Sequence, residues 1–452
     1  MYTIEKTICN VVNNHYEYKQ LCGQLISAIS EKFEYFVQSS RTFVVEDYVE
    51  NEWRDSYDLY YSKTSYSCVN TVKRVHFISE EIDSYAQISK DNYIGYINLR
   101  PIPSANSVLS RIRLKCTGEA FELEGNANSF FCLSTLTTVN FPHISISYKS
   151  FPLYSQDSMV AICAHADLLM ITKYMYKKFN FNNYKLRDIV NNDNYTFFGQ
   201  GRKIPSEGLT IYQMVELLRV NNYNPISTLF NNGKSGKIGI IEYIDSFLES
   251  ALPTILAFDG HVMIIIGHVH NEKKHYIIAD DSSYHIKKNF KKRLSHITIV
   301  DEEELLSVLS SHQVYLISPS FDRFYLHYPY LKIIIDETKD SLERKCLKNH
   351  PQINLTTREI LVESCKLKQF LSESGDNSFE NVKLPHYVWY VEYYLNNTKK
   401  EETLLYYMLV DATAHKLDRI YSTIRNEGGE LFRFAKSTMK IKVQQLSLLT
   451  DI

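Results

Sequence analysis

Apolar residues at Leu21, Leu25, Ile26, Ile29 and Phe33 recur every three or four positions, so a first helix is predicted over about 16–36. The pattern then turns to Val, Tyr, Phe and Thr over 42–48, 72–78 and 93–99, which predicts strands. Pro142 and Pro152 bracket another strand. Helical periodicity returns over 167–179, and the Asn-, Gly- and Lys-rich stretch 180–208 reads as a long surface connection. Thr210 followed by Gln213 is a capping box, opening a helix with Ile211, Met214, Val215, Leu217 and Leu218 inward and stopping at Asn221–Asn222. A second helix over 240–250 ends before Pro253, and strands follow at 254–258, 261–266 and 276–279. The last third predicts helices over 337–348 and 356–371. A hairpin of 387–395 and 403–410 follows, with the polar 396–402 stretch as its turn.

These elements fall into three regions: an α+β region over 1–145, a core over 146–319, and a C-terminal α+β region with the hairpin over 320–452. A chain of 452 residues exceeds the usual size of one core, which agrees with that division. With 44% hydrophobic and 23% charged residues the chain belongs with folded globular proteins. A formal charge of -2 gives no footprint for a nucleic-acid backbone, and the basic run at 287–293 reads as a solvated face. The most apolar stretch, 261–269, is far shorter than the roughly 20 residues of a membrane span. Residues 1–14 carry no basic-then-apolar secretion pattern, because Glu5 and Lys6 interrupt it. The eight cysteines have no repeated short spacing, so the expectation is a reducing cytoplasm, with no metal and no cofactor.

One cysteine differs from the others. Residues 155–170, SQDSMVAICAHADLLM, place Cys163 where a loop becomes a helix, and amides at a helix start stabilise a thiolate. Gln156 lies seven residues earlier, and its side-chain amide with the Cys163 N–H could hold an oxyanion. His261, following Gly260, opens an apolar strand and is placed to exchange a proton with the thiol. The next strand ends in Asp280 and Asp281, either of which could accept the other ring N–H of His261; Asp280 is preferred because it ends the apolar stretch directly.

These residues resemble those of papain-like cysteine peptidases, in particular the Cys-His-Asp type that trims bacteriocin leader peptides. In that family a Gln precedes the helix-capping Cys, Gly-His opens a central strand, and the following strand ends in an acid. Here the matching residues are Gln156, Cys163, Gly260-His261 and Asp280, within roughly 150–290. Two positions depart from the family: it has six residues from Gln to Cys where this chain has seven, and Pro where Asp281 stands.

The resemblance implies a papain-like fold, with the Cys helix packed on an antiparallel sheet. It also implies an intracellular peptidase acting on a protein or peptide substrate through a Cys163 acyl-enzyme. A deamidase, transglutaminase or other acyltransferase would use the same thiol, and a non-catalytic binding protein could keep the same core. The flanking regions raise the expectation of a regulatory protein partner and of a setting such as bacterial stress response or phage defence. No nucleic acid and no membrane are expected as partners.

Overall fold

The computed structural model describes residues 39–64, 69–102, 109–116, 129–191, 204–230, 236–270, 273–280, 296–346, 354–377, 379–396, 402–414 and 433–434. The helix expected over 16–36, Asp281 and the basic run at 287–293 lie outside them. The described structure is α+β. It separates into two units, each compact. One comprises the described residues up to Asn221 with those of Ser227–Asn232 and Ile255–Ile317. The other comprises those of Asn222–Ile226, Gly233–Thr254 and of the chain from Ser318 on. The expected division near residue 145 falls inside the first unit, and the one at 319–320 falls beside its Ile317 end.

The first unit starts from the strands with the clearest β composition. β1 (Thr42–Tyr48), β2 (Val72–Ile78), β3 (Tyr93–Leu99) and β4 (Leu109–Leu114) pair antiparallel in chain order, and the short β8 (Leu153–Tyr154) joins the far edge beside β4. Helix α1 (Asn51–Leu59) follows β1 and buries Trp53 completely. β6 (Thr135–Phe141) and β7 (Ile144–Ser150) form a separate hairpin. Thr135, Thr137, Val139 and Phe141 of β6 alternate inward, as a half-buried strand requires. Val139, Phe141, Ile146 and Tyr148 of this hairpin share a core with Ile78, Tyr93 and Tyr96.

A second sheet runs in the order β13 (Ile297–Asp301), β12 (Lys274–Ala279), β11 (His261–His270), β10 (Thr254–Phe258), β14 (Val314–Ser318), β9 (Ile226–Phe230), and β5 (Ser129–Cys132) also pairs with β11. From Val262 to Val269 β11 is wholly buried. That is why its sequence reads as an unbroken apolar run rather than an alternation: both faces of a central strand are covered. Helix α2 (Cys163–Phe179) packs against it. Asn180, in the left-handed conformation with φ 59°, ends that helix. The connection that follows contains a short helix, α3 (Leu186–Val190), and α4 (Ile211–Val220) opens on the expected Thr210–Gln213 capping box. Met214, Leu217 and Leu218 are its buried residues, while Ile211 and Val215 stay half-buried. α6 (Glu302–Ser311) is capped by Asp301.

The second unit contains α5 (Gly236–Glu249), α7 (Tyr328–Cys346), α8 (Ser364–Glu373) and a sheet of β15 (Asn354–Glu363), β16 (Tyr387–Asn396), β17 (Glu402–Asp411) and β18 (Arg433–Phe434). The hairpin expected over 387–410 is β16–β17. The helix expected over 356–371 is corrected: its first half is β15, paired with β16 along its whole length, and only Ser364 onward is helical. Thr356, Thr357, Ile360 and Val362 are β-branched, and a partner strand outweighs a weak helical periodicity. α7 begins at Tyr328, earlier than expected, because Leu331, Ile335, Thr338 and Leu342 carry its buried stripe. Arg358 is ion-paired with Glu249 and lies 4.0 Å from fully buried Glu392.

No helix among the described residues is long and apolar enough to cross a membrane. One close approach in the sheet is exacting. A Cβ at Gly267 would stand 2.4 Å from the Phe131 carbonyl oxygen and 3.0 Å from the Cys132 Cα. Gly267→Ala is therefore expected to push β5 off β11 and cost about 1–3 kcal/mol of stability, read as a lower urea midpoint.

Candidate active site

The loop from β8 into α2 is built around Asp157. This carboxylate is 2% exposed; its Oδ1 accepts the backbone N–H groups of Met159, Val160 and Ala161 at 2.9, 2.7 and 3.0 Å, and its Oδ2 accepts the Ser56 hydroxyl at 2.7 Å. The N–H groups of Asp157 and Ser158 donate in turn to Ala161 O at 2.8 and 3.2 Å, and Ser158 takes a φ of 65°. The chain thus advances seven positions from Gln156 to Cys163 through a closed, hydrogen-bonded loop. Fully buried Arg100 fixes its start, donating from Nη1 to Gln156 O at 2.9 Å and from Nη2 to Ser155 O. Cys163 is the first residue of α2 and half-buried. The preceding Ile162 supplies no side-chain cap, and the first helical bond runs from Ala166 N–H to Ile162 O at 3.0 Å.

The helix is also anchored along its length. Lys173 of α2 and Arg111 of β4 both pair with Glu52 of α1, at 3.3 and 3.0 Å. Arg187 of α3 pairs with Asp55 of α1 at 2.7 Å. Residues expected to be a flanking region therefore hold the helix that Cys163 begins.

His261 is placed by the turn before it. Asp259 and Gly260, with φ 53° and 72°, form a two-residue connection from β10 to β11, the Asp-Gly signature of a tight hairpin. Pairing of Ile264 with Ala279 puts Asp280 opposite Met263, on the strand face His261 shares. His261 Nε2 lies 2.9 Å from Asp280 Oδ1, and the Asp280 side chain is fully buried. A carboxylate can only accept, so Nε2 carries the hydrogen and Nδ1 is the basic nitrogen of the neutral ring. Asp280 N–H donates to His296 O at 2.9 Å, and the His296 ring meets the Ser155 hydroxyl at 2.9 Å. His296 thus links the acid to the residue before Gln156.

Asp167 and His165 lie in the first turns of α2. Asp167, four residues after Cys163 and so on the same helical face, is fully buried, and neither carboxyl oxygen has a hydrogen-bond partner. Burial, and then the charge of Asp280, hold its carboxyl well above the usual range, so it keeps its proton. His165 is buried too; burial pushes it down to about 4, with the charge of Asp157 opposing, so it is a neutral core residue.

The structure brings His261 and Asp280 into contact, sets Cys163 on a helix packed against the strand of His261, and places Gln156 on the loop Arg100 holds. Asp281 lies outside the described residues. Sequence reading missed Asp157, Arg100, His296 and Asp167. Asp157 was legible only as a turn residue; Arg100 and His296 are distant in sequence from what they touch, and Asp167 is distant from the Asp280 charge that acts on it.

No family model matches this chain, and no curated protein does. Among solved structures it is similar to UfSP from C. elegans, a cysteine protease, at 12% identity and a TM-score of 0.26, over 42% of this chain and 34% of that one. The match thus spans about a third of that protein's length. At that score the likeness does not bear on what this chain does.

Asp157→Ala is expected to lower stability by at least about 2 kcal/mol in urea unfolding, because three buried amides lose their acceptor. For Asp167 the sign follows from linkage. The folded state keeps a proton that the unfolded chain releases at the ordinary carboxylate value, so wild-type stability from this group falls as pH rises through that interval. Asp167→Asn removes the loss while His165 is common to both proteins. The variant's stability relative to wild type should therefore be greater at about pH 8 than at about pH 5. An unchanged difference would show that Asp167 is not held protonated.

Proposed function

We propose that this protein is a cysteine peptidase of papain-like fold, hydrolysing peptide bonds of a protein or peptide substrate through a Cys163 acyl-enzyme. The observation that carries this reading is the 2.9 Å contact of His261 Nε2 with the fully buried Asp280 carboxylate, on the sheet against which the Cys163 helix packs. An imidazole fixed in one tautomer by a buried acid, near a helix that starts with a thiol, is an arrangement for proton exchange with that thiol.

In this reading His261 Nδ1 takes the Cys163 proton and the sulfur attacks the peptide carbonyl carbon. The oxyanion is held by the Cys163 N–H and the Gln156 side-chain amide. His261 then gives its proton to the leaving amine, and water, deprotonated by His261, releases the acid. Asp280 orients the ring and stabilises the imidazolium. The loop held by Asp157 and Arg100 sets where Gln156 and the Cys163 amide stand relative to one another, which an oxyanion hole requires to be fixed beforehand. Asp280 takes the orienting role in preference to Asp281 because of the contact it makes.

Incubation of the full chain with a peptide library and mass spectrometry of the products tests the proposal. Cleaved backbones are expected, reduced to background by Cys163→Ala or His261→Ala and lowered about 100-fold or more by Gln156→Ala. A one-dalton gain at Gln, or a new isopeptide, would assign deamidation or transamidation to the same thiol. Turnover unchanged in Cys163→Ala would overturn the proposal.

A further inference from the structure

Arg113 stands on β4 two residues after Arg111, on the same face of the sheet. The two guanidinium groups are satisfied differently. Arg111 reaches Glu50 from Nε at 3.2 Å and Glu52 from Nη2 at 3.0 Å, and Lys173 of α2 shares Glu52 at 3.3 Å. Both acids are thereby engaged, Glu50 also accepting from Asn98 and Ser110. Arg113 is only 6% exposed. Among the described residues no carboxylate lies within ion-pair reach of it, and its Nη1 has no acceptor. Arg111 Nη1 lacks one as well. A cation shut off from water without a counter-charge is costly to keep.

The backbone holds Arg113 in that place. Tyr148 of β7 donates its hydroxyl to Arg113 O at 3.0 Å, and β3 lies so close that a Cβ at Gly95 would stand 2.2 Å from the same oxygen. Helix α2 brings a second cation. Lys177 is one turn, about 6 Å, beyond Lys173 on α2, as Arg113 is about 7 Å beyond Arg111 on β4. Its Nζ donates to Leu136 O at 3.0 Å, and Leu136 pairs with Lys149, the neighbour of Tyr148. Lys177 and Arg113 are thus both fastened to the β6–β7 hairpin. Burial, and then the charges of Arg113, Arg111 and Lys173, hold Lys177 below its ordinary value, and burial with the charge of Arg111 does the same to Arg113. Arg111 and Lys173 share two acids; Arg113 and Lys177 have none among the described residues.

We propose that Arg113 and Lys177, with Arg111 Nη1 beside them, form a binding site for a phosphate dianion, either free or as the monoester of a small molecule. The guanidinium fork takes two oxygens of the ligand, and Lys177 releases the Leu136 carbonyl to take a third. Two uncompensated cations match a doubly charged ligand, whereas a carboxylate would neutralise only one. The ligand would then join β4 and the β6–β7 hairpin to the later half of α2. The site is independent of the peptidase reading.

The test is calorimetric titration of the full chain with potassium phosphate and with phenyl phosphate, at about pH 8, where both are doubly charged, and at constant ionic strength in chloride. Saturable one-to-one binding is expected. Saturation by both ligands would assign the site to monoesters, and saturation by inorganic phosphate alone to the free ion. Arg113→Met, which removes the charge and keeps an unbranched stem, should weaken binding at least about tenfold. Lys177→Gln, a change at an exposed position that leaves the core intact, should do the same. Cys163→Ala should bind as the wild type does. The proposal is overturned if the wild type shows no saturable binding, or if acetate binds as tightly as phosphate. Undiminished binding in Lys177→Gln and in Arg113→Met would equally overturn it, marking an adventitious ion only.

Discussion

A carboxylate shut off from water has to be paired, and the pairing of Asp280 with His261 is the constraint around which the first unit is arranged. An unpaired buried charge costs several kcal/mol, more than most single contacts return. The 2.9 Å contact meets that demand only if β11 and β12 keep their register, because a one-residue slip would turn Asp280 to the other face. The Asp259–Gly260 turn fixes one end of β11, and the close fit of β5 at Gly267 holds its middle.

Asp167 shows the same constraint solved in the opposite way. It too is fully buried and lies within the field of Asp280, but no partner meets its oxygens, so it stays neutral. Two adjacent buried carboxyls thus differ in charge because only one has an imidazole. The negative charge is concentrated where it can orient His261. Asp157 offers a third solution, a carboxylate kept by three backbone amides and a hydroxyl.

Residues before 145 hold the candidate site together. Arg100 fixes the carbonyls of Ser155 and Gln156, Ser56 completes the shell of Asp157, and Glu52 and Asp55 tie α1 to α2 and α3. A boundary near 145 follows from composition and prolines, but composition does not record which buried charges find each other. Hydrogen bonds and charge pairs across 55 to 132 positions join residues on either side of that point.

The sequence by itself determined the elements whose signal is local. Thr210 and Gln213 cap a helix, β-branched and aromatic runs make the strands of 42–99, and Cys163 stands at a helix start after a loop. It also supplied the pair His261 and Asp280, because strand, turn and return strand bring residues 19 apart opposite one another. Tertiary structure decided the rest. β15 is a strand because β16 pairs with all of it, whatever the helical spacing of Thr356 onward suggests. The unpaired oxygens of Asp167 and the linking role of His296 depend on elements far apart in the chain. Periodicity shows which side of an element is buried, and not what it is buried against.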